Sequence, residues 1–279
     1  MGIHTFGAYC GLACSTIIGL RSQPGKRTPI PSYISCIFAM LGTLFLWVYW
    51  PSFNSAMFDF HFQYQRMIII SNTVLALTGS CLSAFAFSIF YRGKFCMDDV
   101  LNATIAGGVA IGSAASFITN PAGAIAIGFI SGAVSATGYY YLSDFLTDKG
   151  IYDTCGIHNL HGMPGLIGGL SSAVFVAAYN STSLDIAGGN PLDFVNGEYL
   201  RQGGLQVAGT FISLGMGLLT GAIAGLVIYP MYEVTTEDFY DDEHYWEIHH
   251  HKHSEAPPYY VVVGTKPEEQ VSDASPTRN

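Results

Sequence analysis

Charged residues are scarce in this chain of 279 residues. Asp, Glu, Lys and Arg make up 11% of it, whereas about a quarter of a typical soluble domain is charged. Half of the residues are hydrophobic, a composition that argues against a soluble enzyme. The 11 basic residues are outnumbered by 20 acidic ones, and no basic cluster is present that could neutralise phosphates. Nucleic acid is therefore excluded as a main partner.

The sequence also lacks closely paired cysteines. Its six cysteines are scattered, and four of them lie inside apolar runs. This spacing indicates neither a disulfide framework nor a zinc site, and we interpret the six residues as buried thiols. No nucleophile, base and orienting group occur at a plausible catalytic spacing. We therefore predict that the chain is not an enzyme and uses no cofactor or metal.

Long stretches without any charged residue are the main positive feature. A transmembrane helix needs about 20 apolar residues. The uncharged stretches are residues 1–20, 28–58, 67–91, 100–143, 154–184 and 202–232. Asn120-Pro121 interrupts the longest of them. The sequence therefore predicts an all-α multi-pass membrane protein with about seven transmembrane helices, near residues 1–19, 35–53, 67–91, 100–117, 121–143, 155–178 and 205–229.

Basic residues in the connecting loops predict the orientation of these helices, because short cytoplasmic loops carry an excess of Lys and Arg. The loops after spans one, three and five contain Arg21, Lys26, Arg27, Arg92, Lys94 and Lys149. The alternate loops contain Arg66 and Arg201. This bias places the N-terminus outside and the C-terminus in the cytoplasm.

Two segments outside the spans carry further predictions. Asn180-Ser181-Thr182 is a glycosylation acceptor pattern in the outer loop between spans six and seven, which makes Asn180 a candidate glycosylation site. Residues 231–279 form a tail that is rich in acidic residues and histidine. We divide the chain into a membrane domain, residues 1–230, and a cytoplasmic tail, residues 231–279. A solvated tail is favoured over a histidine metal site, with residues after about 250 disordered.

Two histidines inside the apolar spans are the first candidates for a functional site, because ionisable groups in a membrane are costly. His4 lies in span one and His161 in span six, and these spans are predicted to run in opposite directions. The two rings are therefore expected to meet near the midplane, with one ring N–H donating to the other ring. They would line a lumen that binds a small neutral polar molecule but cannot replace the hydration shell of a cation. The alternative is that each histidine only bonds to a neighbouring helix.

Two other residues have both a structural and a functional interpretation. Asp153 opens span six. It either caps the N-terminus of that helix or polarises a functional site without touching the substrate. Phe53 lies at the outer end of span two, where it belongs either to an aromatic belt or to a gate.

Several motifs resemble the Rh glycoproteins, which belong to the Amt/Mep/Rh ammonium transporter family. The resemblance runs in order from about residue 1 to 247. The motifs that carry it are residues 3–9, 42–47, 51–56, 102–110, 153–156 and 160–162.

The resemblance implies a trimer in which each subunit has its own pore. Such a pore conducts ammonia after ammonium has been bound and deprotonated at the outer vestibule. By motif, His4 and His161 match the twin pore histidines of the family, and Phe53 matches one of two phenylalanines that gate the outer mouth. Asp153 matches the acidic residue at the head of the later histidine helix. The resemblance also implies the plasma membrane, and it leaves open whether carbon dioxide is conducted.

The chain departs from the family in its length. Family members have about twelve spans with two inverted repeats, and this sequence corresponds to the later part of that fold. It is therefore expected to be a fragment of an ammonium transporter. His4 lies three residues after the first residue, whereas His161 lies eight residues beyond Asp153, so the two histidines are expected to reach equal depth only if span one is longer upstream.

Two alternatives remain open at this point. One is a non-transporting membrane subunit that assembles with full-length copies. The other is a seven-helix receptor, which fits the number of spans. The receptor is the weaker of the two, because Asp-Arg-Tyr is absent and residues 120–124 do not match the receptor Asn-Pro-x-x-Tyr pattern.

Overall fold

The computed structural model describes residues 1–20, 33–56, 58, 63–178 and 198–231. All regular structure in these residues is helical. The longer helices are α1 (His4–Gly19), α2 (Tyr33–Ser55), α3 (Gln63–Arg92), α6 (Pro121–Thr137), α8 (Met163–Ala177) and α9 (Tyr199–Ile228). The short ones are α4 (Met97–Asn102), α5 (Ala106–Ile111) and α7 (Ser143–Asp148). Two π-helical turns, Gly138–Leu142 and His158–Gly162, join α6 to α7 and lead into α8.

Five helical segments are long and apolar enough to cross a membrane. They are Tyr33–Ser55, Gln63–Arg92, Pro121–Asp148, His158–Ala177 and Tyr199–Ile228. Each coincides with a predicted span, so the all-α multi-pass class is confirmed. The predicted break at Asn120-Pro121 is also present. The Asn120 side chain caps the start of α6 by accepting the Ala122 N–H at 3.0 Å.

The other two predicted spans differ from a simple transmembrane helix. Helix α1 has 16 residues, or about 24 Å at 1.5 Å per residue, which is shorter than the apolar thickness of a bilayer. The predicted span at 100–117 is broken into α4, a 3₁₀ turn and α5. Every residue from Ala103 to Ile111 is buried. Irregular backbone is tolerated at membrane depth where protein surrounds it, which explains the break.

Glycines let α1 pack closely against α9. Three glycines on α9, four residues apart, lie against the backbone of α1. The contacts are Gly217 with Phe6, Gly221 with Cys10, and Gly225 with Cys14. Because the residue numbers on α9 and on α1 increase together along these contacts, the two helices run in the same direction. Spans one and seven of the predicted topology should do the same.

The helix that follows His158 runs against α1. Gly165 lies opposite Thr5, and Gly162 lies opposite Tyr9. Gly11, further along α1, lies against Ile157. Because the residue numbers in the His158 segment decrease as those on α1 increase, the two segments are antiparallel. The predicted opposite direction of spans one and six is confirmed.

Helices α2 and α9 present mostly outward-facing apolar surface. Within the apolar window of each, 11% of the α2 residues and 17% of the α9 residues are buried.

The six cysteines are all in described residues. None of them is in a disulfide, five are half-buried, and Cys155 is exposed. The prediction of buried thiols is therefore wrong for Cys155, which lies in a turn, and only partly right for the other five, which are half-buried. Asn180 and residues 232–279 lie outside the described residues.

Candidate functional site in a helix bundle

The structure brings His4 and His161 together. Their ring centroids are 5.1 Å apart and their planes are 4° from parallel. His4 is the first residue of α1, and His161 lies in the π-helical turn that precedes α8. The two rings therefore lie at the same level, as the expectation that they meet requires. The antiparallel packing of α1 against residues 157–165 brings the start of α1 to the level of His161.

The ring-to-ring hydrogen bond predicted for this pair is not formed in the described part of the chain. Nδ1 of His161 is buried and has no hydrogen-bond partner there. The rings are stacked, and an imidazole N–H points along its own ring plane rather than at a ring stacked on it. A buried nitrogen without a partner costs free energy unless another molecule satisfies it. His161 therefore has a free hydrogen-bonding atom at the site.

Trp50 and Phe53 enclose the other side of His4. The Trp50 ring is stacked on His4 at 5.7 Å, and the Phe53 ring meets His4 edge-on at 6.1 Å. Both come from the last turns of α2, around Pro51. Trp50 is 5% exposed and Phe53 is 46% exposed. The residues of an aromatic belt are exposed at the membrane interface. Trp50 is buried and therefore does not belong to such a belt, whereas Phe53 lies between the site and the surface.

Sequence reasoning missed Trp50 as a site residue. Its signal was its position one helical turn before Phe53, but Trp and Tyr near the end of a span are equally typical of an interfacial belt. The structure also places Gly108 against the Trp50 ring, where a Cβ would lie 2.6 Å from Nε1. A glycine at this place lets the indole lie deep in the bundle.

Asp153 acts on the helix end that carries His161 rather than touching the histidine pair. Its two carboxylate oxygens accept the backbone N–H groups of Ile157 and His158 at 2.8 and 2.9 Å. Burial raises the pKa of Asp153 above its usual value, although the backbone hydrogen bonds oppose this shift. The carboxylate therefore fixes the start of the π-helical turn.

The π-helical turn closes where the Met163 N–H donates to the His158 carbonyl, five residues earlier. Pro164, which has no N–H to donate, follows directly in the first turn of α8. The turn also carries a second histidine, His158, which sequence reasoning did not single out. Its ring meets Tyr9 of α1 edge-on, with centroids 5.6 Å apart.

These contacts define the chemistry of the site. The site is lined by two imidazole rings, one indole ring and the Phe53 ring, which provide apolar faces and a few nitrogens. Among the described residues, no carboxylate contacts the rings of the histidine pair. A cation that enters such a site loses its hydration shell and gains little in exchange. A small neutral molecule with a lone pair and N–H or O–H groups suits the site better.

The fold and the site together define a class: a multi-pass helical membrane protein with two imidazoles in contact inside its bundle. Residues 1–253 match the profile of the Ammonium Transporter Family, and the chain belongs to that family. This is a family of transporters, not of enzymes. The resemblance of the motifs to the Rh branch is confirmed by the relatives.

Similar curated proteins include Rh type C ammonium transporters. The chain is 43% identical to the protein of Oncorhynchus mykiss over 263 residues, which cover 89% of this chain and 52% of that one. It is also 43% identical to the Homo sapiens protein over 262 residues, covering 89% and 54% of the two chains. The chain therefore spans about half the length of the curated relatives it matches.

Solved structures of the same fold agree. Nitrosomonas europaea Rh50, a member of the Rhesus family of channels, superposes with a TM-score of 0.69 at 36% identity. The match covers 88% of this chain and 57% of that one. Mep2 of Saccharomyces cerevisiae superposes with a TM-score of 0.61 at 27% identity, covering 81% and 49%.

Proposed function

We propose that this chain forms part of an ammonium transporter that conducts neutral ammonia along a path lined by His4 and His161. The observation that carries the proposal is the contact of the two imidazoles between antiparallel segments, with Nδ1 of His161 buried and unpartnered. Ammonia has one lone pair and three N–H groups, so it satisfies such a nitrogen as either donor or acceptor.

Selectivity follows from the same groups. Potassium needs several oxygen ligands to replace its water, and the rings around His4 supply none. Ammonium gives up its proton to water at the outer vestibule, and the ammonia that remains enters this path. Phe53, half-exposed beside His4, then controls access from the outer mouth.

The remaining features of the proposal follow the sequence. The N-terminus of this chain lies outside, the tail lies in the cytoplasm, and the protein resides in the plasma membrane. Basic residues after spans one, three and five support this orientation. The parallel packing of α1 with α9 agrees with the alternation of the spans, which supports the same topology. Asn180 is a candidate glycosylation site on the outer side.

Assembly with other chains belongs to the same proposal. The outward faces of α2 and α9 are apolar over most of their length, as for helices that meet lipid or another subunit. A homotrimer, or an assembly with related Rh subunits, is the expected state. The same faces favour the second candidate function, a non-transporting subunit that assembles with longer copies.

The test is an ammonia-driven pH change in proteoliposomes that contain the 279-residue chain, with empty liposomes as the reference. Flux above the reference that is lost in His161→Ala supports a conduction path within this chain alone. His253→Ala makes the same chemical change in the tail and serves as the control. Flux equal to the reference contradicts conduction by this chain alone. Co-purification with a full-length Rh protein then decides for the non-transporting subunit.

A further inference from the structure

The broken segment that contains α5 takes a hydrogen bond from the end of α2. In a regular α-helix the Gly112 N–H would bond to the Gly108 carbonyl, four residues earlier. Here it donates to the Val109 carbonyl at 3.4 Å instead. Asn54, in the last turn of α2, donates from Nδ2 to the Gly108 carbonyl at 3.2 Å. The Asn54 side chain thus supplies a bond that the break in the helix leaves open.

The same amide of Asn54 also bonds to α3. Nδ2 donates to Oγ1 of Thr73 at 3.1 Å. The direction of this bond is fixed, because the Thr73 hydroxyl donates its own proton to the Ile69 carbonyl at 2.7 Å. The two N–H groups of one amide therefore tie the end of α2 to both α3 and α5.

Trp50, which stacks on His4, lies on the same face of α2 as Asn54. It precedes Asn54 by four residues, which is about one helical turn. Gly108 meets both side chains: its carbonyl accepts from Asn54, and its lack of a Cβ makes room for the indole ring. Nε1 of Trp50 is buried and has no hydrogen-bond partner among the described residues. The place of the indole against His4 therefore depends on how the end of α2 is held.

We propose that Asn54 is a positioning residue for His4. Its two hydrogen bonds hold the end of α2 so that the Trp50 ring stays stacked on the imidazole of His4, at the observed 5.7 Å between centroids. Asn54 acts on His4 through the Trp50 ring and has no part in binding ammonia. This inference rests on the proposed function, because it assigns Asn54 to the site that conducts ammonia there.

Nuclear magnetic resonance of the chain in lipid bilayers, with ¹³C- and ¹⁵N-labelled histidine, tests the position of the ring. The ring current of an indole changes the chemical shifts of a ring stacked on it. His4→Gln identifies the His4 resonances by their loss, and Trp50→Leu gives the His4 shifts without the indole. In Asn54→Ala we expect the His4 resonances to move from their wild-type values toward those in Trp50→Leu. Unchanged His4 shifts in Asn54→Ala overturn the proposal.

Asn72→Ala is the matched control, because it removes another asparagine that holds the same broken segment. Nδ2 of Asn72 donates to the carbonyls of Ala115 and Ile118, both at 2.8 Å. The loss of two hydrogen bonds should lower Tm in this variant as it does in Asn54→Ala. The His4 shifts, however, should keep their wild-type values in Asn72→Ala. Equal movement of the His4 shifts in both variants shows a general loosening of the bundle and refutes the specific role of Asn54.

Thr73→Val is a milder variant, and it decides the question if Asn54→Ala does not fold. It keeps the shape of the side chain and removes one of the two acceptors of Asn54. The His4 resonances should move in the same direction as in Asn54→Ala, by a smaller amount. No movement refutes the tie to α3, and with it the proposal.

Flux measured on the same preparations distinguishes this inference from the proposed function. If the wild-type chain shows no flux but the His4 shifts respond to Asn54→Ala, the positioning role stands and conduction by this chain alone fails. If flux occurs and the His4 shifts do not respond, conduction stands and the positioning role of Asn54 is refuted.

Discussion

Close packing of α1 against α9 should be necessary for the position of His4. Gly221 lies on the Cys10 backbone, where a Cβ would be 2.8 Å from Cα and closer still to the carbonyl oxygen. Carbon atoms in contact are normally about 3.5–4.0 Å apart. Gly221→Ala therefore forces the helices apart by about 1 Å, because a backbone atom cannot swing away as a side chain can.

The expected cost follows from this overlap. Overpacking of a tight interface costs about 1–3 kcal/mol, and a clash with backbone belongs at the upper end of that range. For a domain of this size, about 3 kcal/mol corresponds to a fall in Tm of about 6–12 °C. The shift of α1 also carries His4 away from His161, since His4 is the first residue of the same helix.

Gly215→Ala is the matched control on the same helix. A Cβ at Gly215 meets nothing within 4 Å, so this change should leave Tm unchanged or raise it slightly through helix propensity. Thermal unfolding in detergent measures Tm, and ammonia-driven pH change in proteoliposomes measures flux. Equal Tm and equal flux in Gly221→Ala and Gly215→Ala would refute the link between this contact and the site.

Three further changes test other parts of the site. His161→Ala should abolish selective ammonia or methylammonium flux, whereas His253→Ala should not; flux with unchanged selectivity would remove His161 from the path. Phe53→Ala should change selectivity or access from outside, measured as the ratio of ammonia to methylammonium flux, and an unchanged ratio would return Phe53 to the aromatic belt. Asp153→Asn keeps one of the two acceptor oxygens and should lower stability by about 1–2 kcal/mol, measured by thermal unfolding at neutral pH. Because burial raises the pKa of Asp153, the stability that this shift contributes is present below the unfolded pKa and is lost as pH rises through the folded pKa, whereas the two hydrogen bonds to the backbone remain at neutral pH. The Asp153→Asn variant should lack this dependence, and a parallel pH profile of Tm would contradict it.

Much of the architecture could be predicted from the sequence because burial in a membrane is a local property. Uncharged stretches of about 20 residues predict spans whatever the helices contact, and five of the seven appear as long apolar helices. The candidate site was also visible, since His4 and His161 are rare ionisable residues in apolar surroundings and their motifs resemble the Rh proteins. The break in the 100–117 segment was not visible, because its composition is that of a span and only burial by neighbours permits the irregular backbone.

The sequence by itself determined that this is a multi-pass membrane protein of the Rh type, with two histidines and a phenylalanine as candidates for its path. Only the tertiary structure decided that Trp50 stacks on His4 and that His158 faces Tyr9. Trp50 is 46 residues from His4 in the chain, and His158 is 149 residues from Tyr9. Contacts over such separations depend on how each helix is rotated and how closely it approaches its neighbours. Those quantities are set by the packing of Gly108, Gly162 and Gly221 against other helices, which no local pattern records.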